Sequence, residues 1–356
     1  MRNLYSKIIL LCIITLAACS KETNLLEETP IFDTTFILSL ESDNTSLTYL
    51  NKDKYPTLNV YSSANSETTS FSEFNNKLYL VSQNGPSFIS ILDLETLSLE
   101  NTVTTSKVGS PSYLQMYSDT DGLVINTSGR GRRKKYNLST VNTVTGIGES
   151  ITGTSNAVLF NNAALLLDGE NVLIADGKEL KSFDINTKTI KTLLTFSENI
   201  SGVLRNNENN IWVATEKRTA LAAFTKLKND YTISETVEIT NETINLFKNS
   251  ILNMNSNSET AYWSESASGK IYRFNTTTKT VEEFASPINN SVALNTVVKE
   301  HPVTKQVYVA GLEDFFNPDN SILAIYNNDK SFAKEVKSIG VSPIDIYFSN
   351  KVFFNN

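Results

Sequence analysis

The sequence predicts an all-β fold, a seven-bladed β-propeller whose ring is closed by the C-terminal strand completing the first blade. Three observations carry that expectation. Short β-branched and aromatic stretches recur along the chain, a turn motif returns at a nearly constant interval, and the two ends look like complementary parts of one unit.

Leu78-Tyr79-Leu80-Val81, Ile211-Trp212-Val213-Ala214 and Val307-Tyr308-Val309-Ala310 typify the stretches, and their chemistry suits a pleated, buried strand. The turn motif is carried by Ile91–Thr96, Lys135–Thr140, Ser182–Thr187 and Arg273–Thr278. In each, an apolar strand ends in Asp or Asn, and Thr follows three residues later. The Asp or Asn side chain accepts hydrogen bonds from its own backbone two residues on, which closes a tight hairpin. The interval is 44 residues from Asp93 to Asn137, 47 from Asn137 to Asp184, and 91, room for two units, from Asp184 to Asn275. Weaker copies at Leu50-Asn51, Phe224-Thr225 and Tyr326-Asn327 bring the units to seven. A period of about 40 to 50 residues with four strands per unit is the signature of a propeller blade.

The strand before each motif strand is also readable, at Phe36–Leu40, Leu78–Ser82, Leu123–Thr127, Asn171–Ala175, Ile211–Thr215, Thr260–Ser264 and Gln306–Ala310. The first unit therefore begins without an innermost strand. Ser342-Pro343-Ile344-Asp345-Ile346-Tyr347-Phe348 looks like an innermost strand without a unit. Pairing the two ends would seal edges that otherwise stay open.

Residues 1–18 read as a secretory signal. Arg2 and Lys7 flank a run from Ile8 to Leu16, shorter than the about 20 apolar residues a spanning helix needs. Leu16-Ala17-Ala18-Cys19 resembles the lipobox of bacterial lipoproteins, so Cys19 is expected to carry a lipid that anchors the chain to a membrane. Residues 19–31 then form a flexible tether, and residues 32–356 the propeller. Cys12 is the only other cysteine, so the mature chain would hold no thiol for a disulfide, a zinc cluster or catalysis. With 31 Lys and Arg against 38 Asp and Glu, the net charge of -7 argues against a nucleic-acid partner.

In a propeller, the loops from second to third strand and the blade-to-blade connections share one face around the central channel. Those loops are Gln83–Ser87, Ser128–Lys134, Glu216–Thr219, Glu265–Gly269 and Gly311–Asn320. They supply the candidate ligand-binding residues Gln83, Asn84, Arg130, Arg132, Arg133, Lys217, Arg218, Glu265, Phe315 and Phe316. Gly129–Lys135 packs five cations into seven residues. It reads either as an anion clamp, with Arg supplying forked donors, or as a solvated loop. Phe315 and Phe316 offer either a stacking surface or a side chain tucked under its own loop. Asp314 and Asp319 do not match a calcium-loop spacing, and no metal site is expected. Trp212 and Trp263 fit core positions. His301 before Pro302 fits a turn. With that one histidine no catalytic triad can be assembled, and Glu27/Glu28 and Glu282/Glu283 form no convincing dyad. The expectation is a non-enzyme without a cofactor.

Val297–Ala310, with His301-Pro302-Val303-Thr304-Lys305-Gln306-Val307-Tyr308-Val309 at its centre, is similar to the DPxTGxIYV blade of YncE-like and YVTN-type propellers. Ser321–Tyr326 and Gly340-Val341-Ser342-Pro343 continue that pattern. Together with the lipobox, the chain resembles the surface propeller lipoproteins of Bacteroidetes that work beside TonB-dependent transporters. The resemblance implies an outer-membrane, cell-surface lipoprotein that captures a scarce nutrient and passes it to its transporter. The implied ligand is cobalamin (vitamin B12) or another metal-containing small molecule, such as a ferric siderophore or haem. The competing expectation is a surface scaffold or adhesin that binds a protein or glycan.

Overall fold

The turn motif behaves as its chemistry requires. Asp93 Oδ1 accepts the backbone N–H groups of Glu95 and Thr96 at 3.0 and 2.8 Å, and Asp184 Oδ1 those of Asn186 and Thr187 at 2.9 and 2.8 Å. Asn275 Oδ1 accepts from Thr277 and Thr278 at 2.9 and 2.8 Å. The residue after each Thr then enters left-handed backbone, with φ of 54° at Leu97 and 59° at both Lys188 and Lys279. The third unit differs from the expectation. Its turn is closed by Asn142, whose Oδ1 accepts from Val144 and Thr145 at 3.0 Å each, while Asn137 lies mid-strand opposite Asn126. Asn-x-x-Thr occurs twice in that unit, and only the second copy coincides with the end of the apolar strand.

The computed structural model describes residues 34–350 apart from 41–43, 65–67, 108, 130–133, 156, 249, 256, 266–267, 287–293 and 315. Its strands form seven antiparallel sheets, the blades of a propeller. The first blade contains β1 (Thr34–Leu40), β2 (Asn44–Leu50) and β3 (Pro56–Ala64). The second is β4 (Thr68–Phe74), β5 (Lys77–Ser82), β6 (Ile89–Asp93) and β7 (Leu99–Val103). The third is β8 (Ser110–Met116), β9 (Asp121–Ser128), β10 (Lys135–Asn142) and β11 (Gly146–Ser150). The fourth is β12 (Leu165–Asp168), β13 (Asn171–Asp176), β14 (Glu179–Asp184) and β15 (Ile190–Thr195). The fifth is β16 (Ile200–Arg205), β17 (Ile211–Thr215), β18 (Ala223–Leu227) and β19 (Ile233–Glu238). The sixth holds β20 (Thr260–Ser264), β21 (Ile271–Asn275) and β22 (Thr280–Ala285). Its inner position is taken by a single bridge, Asn253 to Tyr262. The seventh is β23 (Leu294–Glu300), β24 (Val307–Asp314), β25 (Asn317–Tyr326) and β26 (Phe332–Lys337). The last strand, β27 (Pro343–Ser349), returns to pair with β1, so the first blade runs β27-β1-β2-β3.

The core lies between blades rather than inside any one of them. Phe36, Leu38 and Leu47 of the first blade pack on Phe71, Leu78 and Leu80 of the second. Tyr79, Val81 and Ile91 continue to Met116 and Val124 of the third. A larger cluster joins blades three, four and five through Leu123, Ile174 and Val213. Trp212 and Phe224 meet Trp263 and Phe274 between blades five and six, with Phe224 and Phe274 stacked at 4.1 Å. Both tryptophans are core residues, as their strand positions predict. Tyr262 and Phe284 pack on Val307 and Tyr326, and the ring closes where Tyr308 and Leu323 meet Ile37, Ile346 and Phe348.

Two turns flank the closure. His301 Nδ1 accepts the N–H groups of Val303 and Thr304 at 3.3 and 3.1 Å, filling the place that Asp or Asn holds in the other turns. Its buried ring packs on Phe348 at 4.9 Å. Gly340 delivers the chain into β27 with φ of 115°, and a Cβ there would lie 2.2 Å from Ser39 Oγ. Gly340→Ala is therefore expected to destabilise the ring by about 1–3 kcal/mol, from backbone strain plus the clash. A urea midpoint unchanged from the native protein would contradict this.

Candidate functional site

Alternating strand direction sorts the connections onto two faces. Turns between the first and second strands of a blade, and between the third and fourth, share the lower face. Second-to-third loops and blade-to-blade connections share the upper one. The innermost strands line the channel between the faces, and the channel is chemically lopsided.

A cavity of about 450 Å³ runs along it, walled by Leu165, Leu166 and Leu167 of blade four, Val203 and Leu204 of blade five, and Leu252 and Met254 of blade six. Three amides, Gln115, Asn162 and Asn253, interrupt this apolar wall, as does Arg205, which is paired with Asp168 at 2.8 Å. Asn162 Nδ2 donates to Asn253 Oδ1 at 2.6 Å, while Asn253 Nδ2, buried on the cavity wall, has no hydrogen-bond partner. A smaller space of about 140 Å³ shares Gln115, Asn162 and Leu165, and adds Phe71, Tyr113 and Ser70. Concavities of this kind, mostly apolar with a few fixed polar groups, are the usual form of a small-molecule site.

The upper connections are held by carboxylates. Asp176 is fully buried and accepts from Ser155 N at 2.6 Å, from Ser155 Oγ, and from Lys181 Nζ at 2.7 Å. Lys181 Nζ also reaches Gly153 O at 2.8 Å and Glu179 at 3.0 Å. Burial opposes the charge on Lys181, yet the bonds to Asp176 and Glu179 outweigh it and hold its pKa above the ordinary value. This pair ties the connection between blades three and four to the top of blade four. Glu198 accepts the N–H groups of Thr219 and Ala220 at 3.1 and 3.0 Å, and the Thr219 hydroxyl. That hydroxyl is the chief reason its carboxyl sits below the usual range. Glu216 accepts from Asn199 and from Lys248 N. The upper loop of blade five is thereby fixed on both sides.

The residues singled out from the sequence are spread around this rim. Gln83 leans from blade two toward blade three, 3.4 Å from Ser112 Oγ, and Asn84 is exposed beside it. Lys217 is tied to the next connection through Leu246 O at 2.8 Å and Glu242 O at 3.2 Å, while Arg218 faces solvent. Glu265 accepts from Asn245, Ser268 and Tyr272, bonds that hold its pKa low despite the opposing effect of burial. Gln83, Lys217 and Glu265 thus bond to their own or a neighbouring element, not to one another. Arg130, Arg132, Arg133 and Phe315 lie outside the described residues. Gly311–Asn320 is not an open loop: β24 and β25 run almost to its tip, with Asp314 paired to Asn317. Asp314 Oδ1 accepts Phe316 N at 2.9 Å and turns the chain there, leaving Phe316 at 90% exposure. Among the described residues no group of three or more His, Cys, Asp or Glu side chains is placed to hold a metal ion. The channel wall escaped the sequence reading, because its residues come from innermost strands that carry no turn motif.

A family model described as "Domain of unknown function (DUF5074)" matches residues 35–355. No curated protein matches the chain. Among solved structures, the chain is similar to a "putative 6-phosphogluconolactonase" from Bacteroides uniformis, at 13% identity and a TM-score of 0.63 over 90% of this chain and 100% of that one. A protein of the same description from Bacteroides fragilis is 12% identical, with a TM-score of 0.63 over 90% and 99%. A "Quinonprotein alcohol dehydrogenase-like protein" from Bacteroides thetaiotaomicron is 15% identical, with a TM-score of 0.60 over 89% and 78%. At these identities the likeness speaks for the shared propeller fold.

Proposed function

The chain belongs to the DUF5074 family, and we propose that it is a non-catalytic capture protein whose ring holds a small molecule in the central channel. The carrying observation is the 450 Å³ cavity with its apolar wall and unpartnered Asn253 amide. An apolar wall facing open water is unfavourable by about 25 cal/mol per Å², so an occupant with an apolar body and a hydrogen-bond acceptor gains by covering it. The ligand class is a scarce metal-containing nutrient: cobalamin, haem or a ferric siderophore. The lipid on Cys19 holds the protein at the outer membrane, facing outward, where a TonB-dependent transporter receives the ligand. Tethering raises the effective concentration of the two partners without any new contact. The loop Gly129–Lys135 supplies the cations for an anionic ligand.

Titration of the full-length protein with cyanocobalamin, haemin and ferric enterobactin, followed by absorbance and calorimetry, is expected to give saturable binding of one of them. Leu166→Trp, which fills the channel, should weaken that binding at least about tenfold, or about 1.4 kcal/mol. Replacing Arg130, Arg132 and Arg133 together with Ala should weaken an anionic ligand alone. Silence from all three ligands would instead favour a surface scaffold.

A further inference from the structure

The lower face carries a concavity that the capture site does not use. It opens where the end of β27 meets the turns of blades two, six and seven. Its volume is about 330 Å³, and Glu73, Asn76, Asn255, Lys299, Tyr347 and Asn350 are among its walls. A second space of about 250 Å³ shares Asn257 with it and extends outward past Asn207, Ser258, Glu300 and Lys305.

We propose that this lower-face groove binds a neutral oligosaccharide, a site separate from the channel and independent of what the channel holds. Three features of the groove support it. The cations are already neutralised: Lys299 Nζ lies 2.7 Å from Asp345 and over the Phe71 ring, and Lys305 Nζ lies 3.4 Å from Glu300 and 2.6 Å from Asn257 O. An acidic ligand would meet Glu73, Glu259 and Glu300 with no unpaired cation from Lys299 or Lys305 to offset them. A cationic ligand would find Asp345 and Glu300 already paired with those two lysines.

The remaining polar groups are short amides. Each offers one acceptor oxygen and two donor hydrogens, which suits hydroxyl groups that both donate and accept. Asn255 spends its Nδ2 on Glu300 O, leaving its amide oxygen turned to accept. Deeper in, Glu300 is 5% exposed, and its Oε1 is the atom that pairs with Lys305 Nζ at 3.4 Å.

Tyr347 supplies the flat apolar surface. Its half-buried ring stands edge-on to Phe71, with centroids 5.8 Å apart at 83°, which fixes its orientation. The C–H face of a pyranose packs on such a ring as other apolar groups do. Burial pushes the Glu73 carboxyl upward in pKa beside it.

The test is calorimetric titration of the full-length protein with cellotetraose, xylotetraose, mannotetraose and maltotetraose, with tetragalacturonate as the charged comparison. Saturable binding of at least one neutral tetrasaccharide is expected, and Asn257→Ala should weaken it about tenfold. Asn257 is exposed, so that variant keeps the fold, which a thermal melt checks. Tyr347→Ala is expected to lose binding, and line broadening of the tyrosine ring signals on titration locates the sugar. The proposal is overturned if no neutral tetrasaccharide binds, if Asn257→Ala binds as well as the native chain, or if tetragalacturonate binds more tightly.

Discussion

A chain ending at Gly340 is expected to lose cooperative unfolding. The deletion removes β27, and with it the six paired positions between Thr34–Ser39 and Pro343–Ser349. It also removes Ile346 and Phe348, both buried in the cluster that joins blade seven to blade one. Truncating a buried Ile costs about 2–5 kcal/mol and a buried Phe about 3–5 kcal/mol. Their sum reaches the 5–15 kcal/mol that typically separates a folded domain from its unfolded chain. Pairing losses come on top. Leu40 N also loses its bond to Ser342 O, and the inner edge of β1 is opened to other chains. Urea unfolding followed by far-UV circular dichroism checks this. A truncated protein that melts in one sharp transition, at the native slope, would show that the ring does not need its closing strand. Phe348→Ala separates packing from pairing, because it leaves β27 in place and should cost about 3–5 kcal/mol alone.

Asp176→Ala is expected to cost about 3–5 kcal/mol. The Asp176 side chain is 0% exposed and that of Lys181 is 7% exposed, so removing the carboxylate leaves a nearly buried ammonium with only Glu179 and Gly153 O as partners. Ser155 loses both of its bonds to the blade at the same time, which frees the connection above blade four. Replacing the pair together, Asp176→Leu with Lys181→Met, should recover most of the loss, since well-packed apolar side chains often match a buried ion pair. A double variant as unstable as the single one would mean that the tie to Ser155, not the stranded charge, dominates. The pair also sets an alkaline limit. Because the folded pKa of Lys181 is raised above 10.5, its contribution is complete below that value and is lost as pH rises through the folded pKa. The native protein should therefore lose stability at high alkaline pH more steeply than the apolar double variant.

The blade plan was readable from the sequence because the features that specify it are local. A buried strand needs β-branched and aromatic residues within a few positions, and an Asx turn is made by one side chain and the two or three residues after it. Asp93, Asp184 and Asn275 close the turns expected of them. The slip to Asn137 in the third unit came from the same locality. Two copies of the motif stand in succession there, and only pairing with β9 shows which one ends the strand. Gly311–Asn320 resembles a loop in sequence for a similar reason. Its Glu, Asp and Asn residues are loop-like in composition, yet pairing with one another carries both strands nearly to Phe316. Charged and amide residues at the free end of a hairpin need no core to stay paired.

Local chemistry thus specified the propeller, the number of its blades and the match between the chain's two ends. Three dimensions decided the rest. The apolar side of the channel joins Leu165, Val203 and Leu252, and the lower groove joins Glu73, Asn257 and Tyr347. Each set comes from three blades and from positions scores of residues apart. The pair that fixes the upper connection, Asp176 with Lys181, looks in sequence like two ordinary surface charges on successive strands. Periodicity constrains a strand and its turn, since both are satisfied by neighbours in the chain. Cavities and buried charge pairs are satisfied only by neighbours in space, and the closed ring is what supplies them.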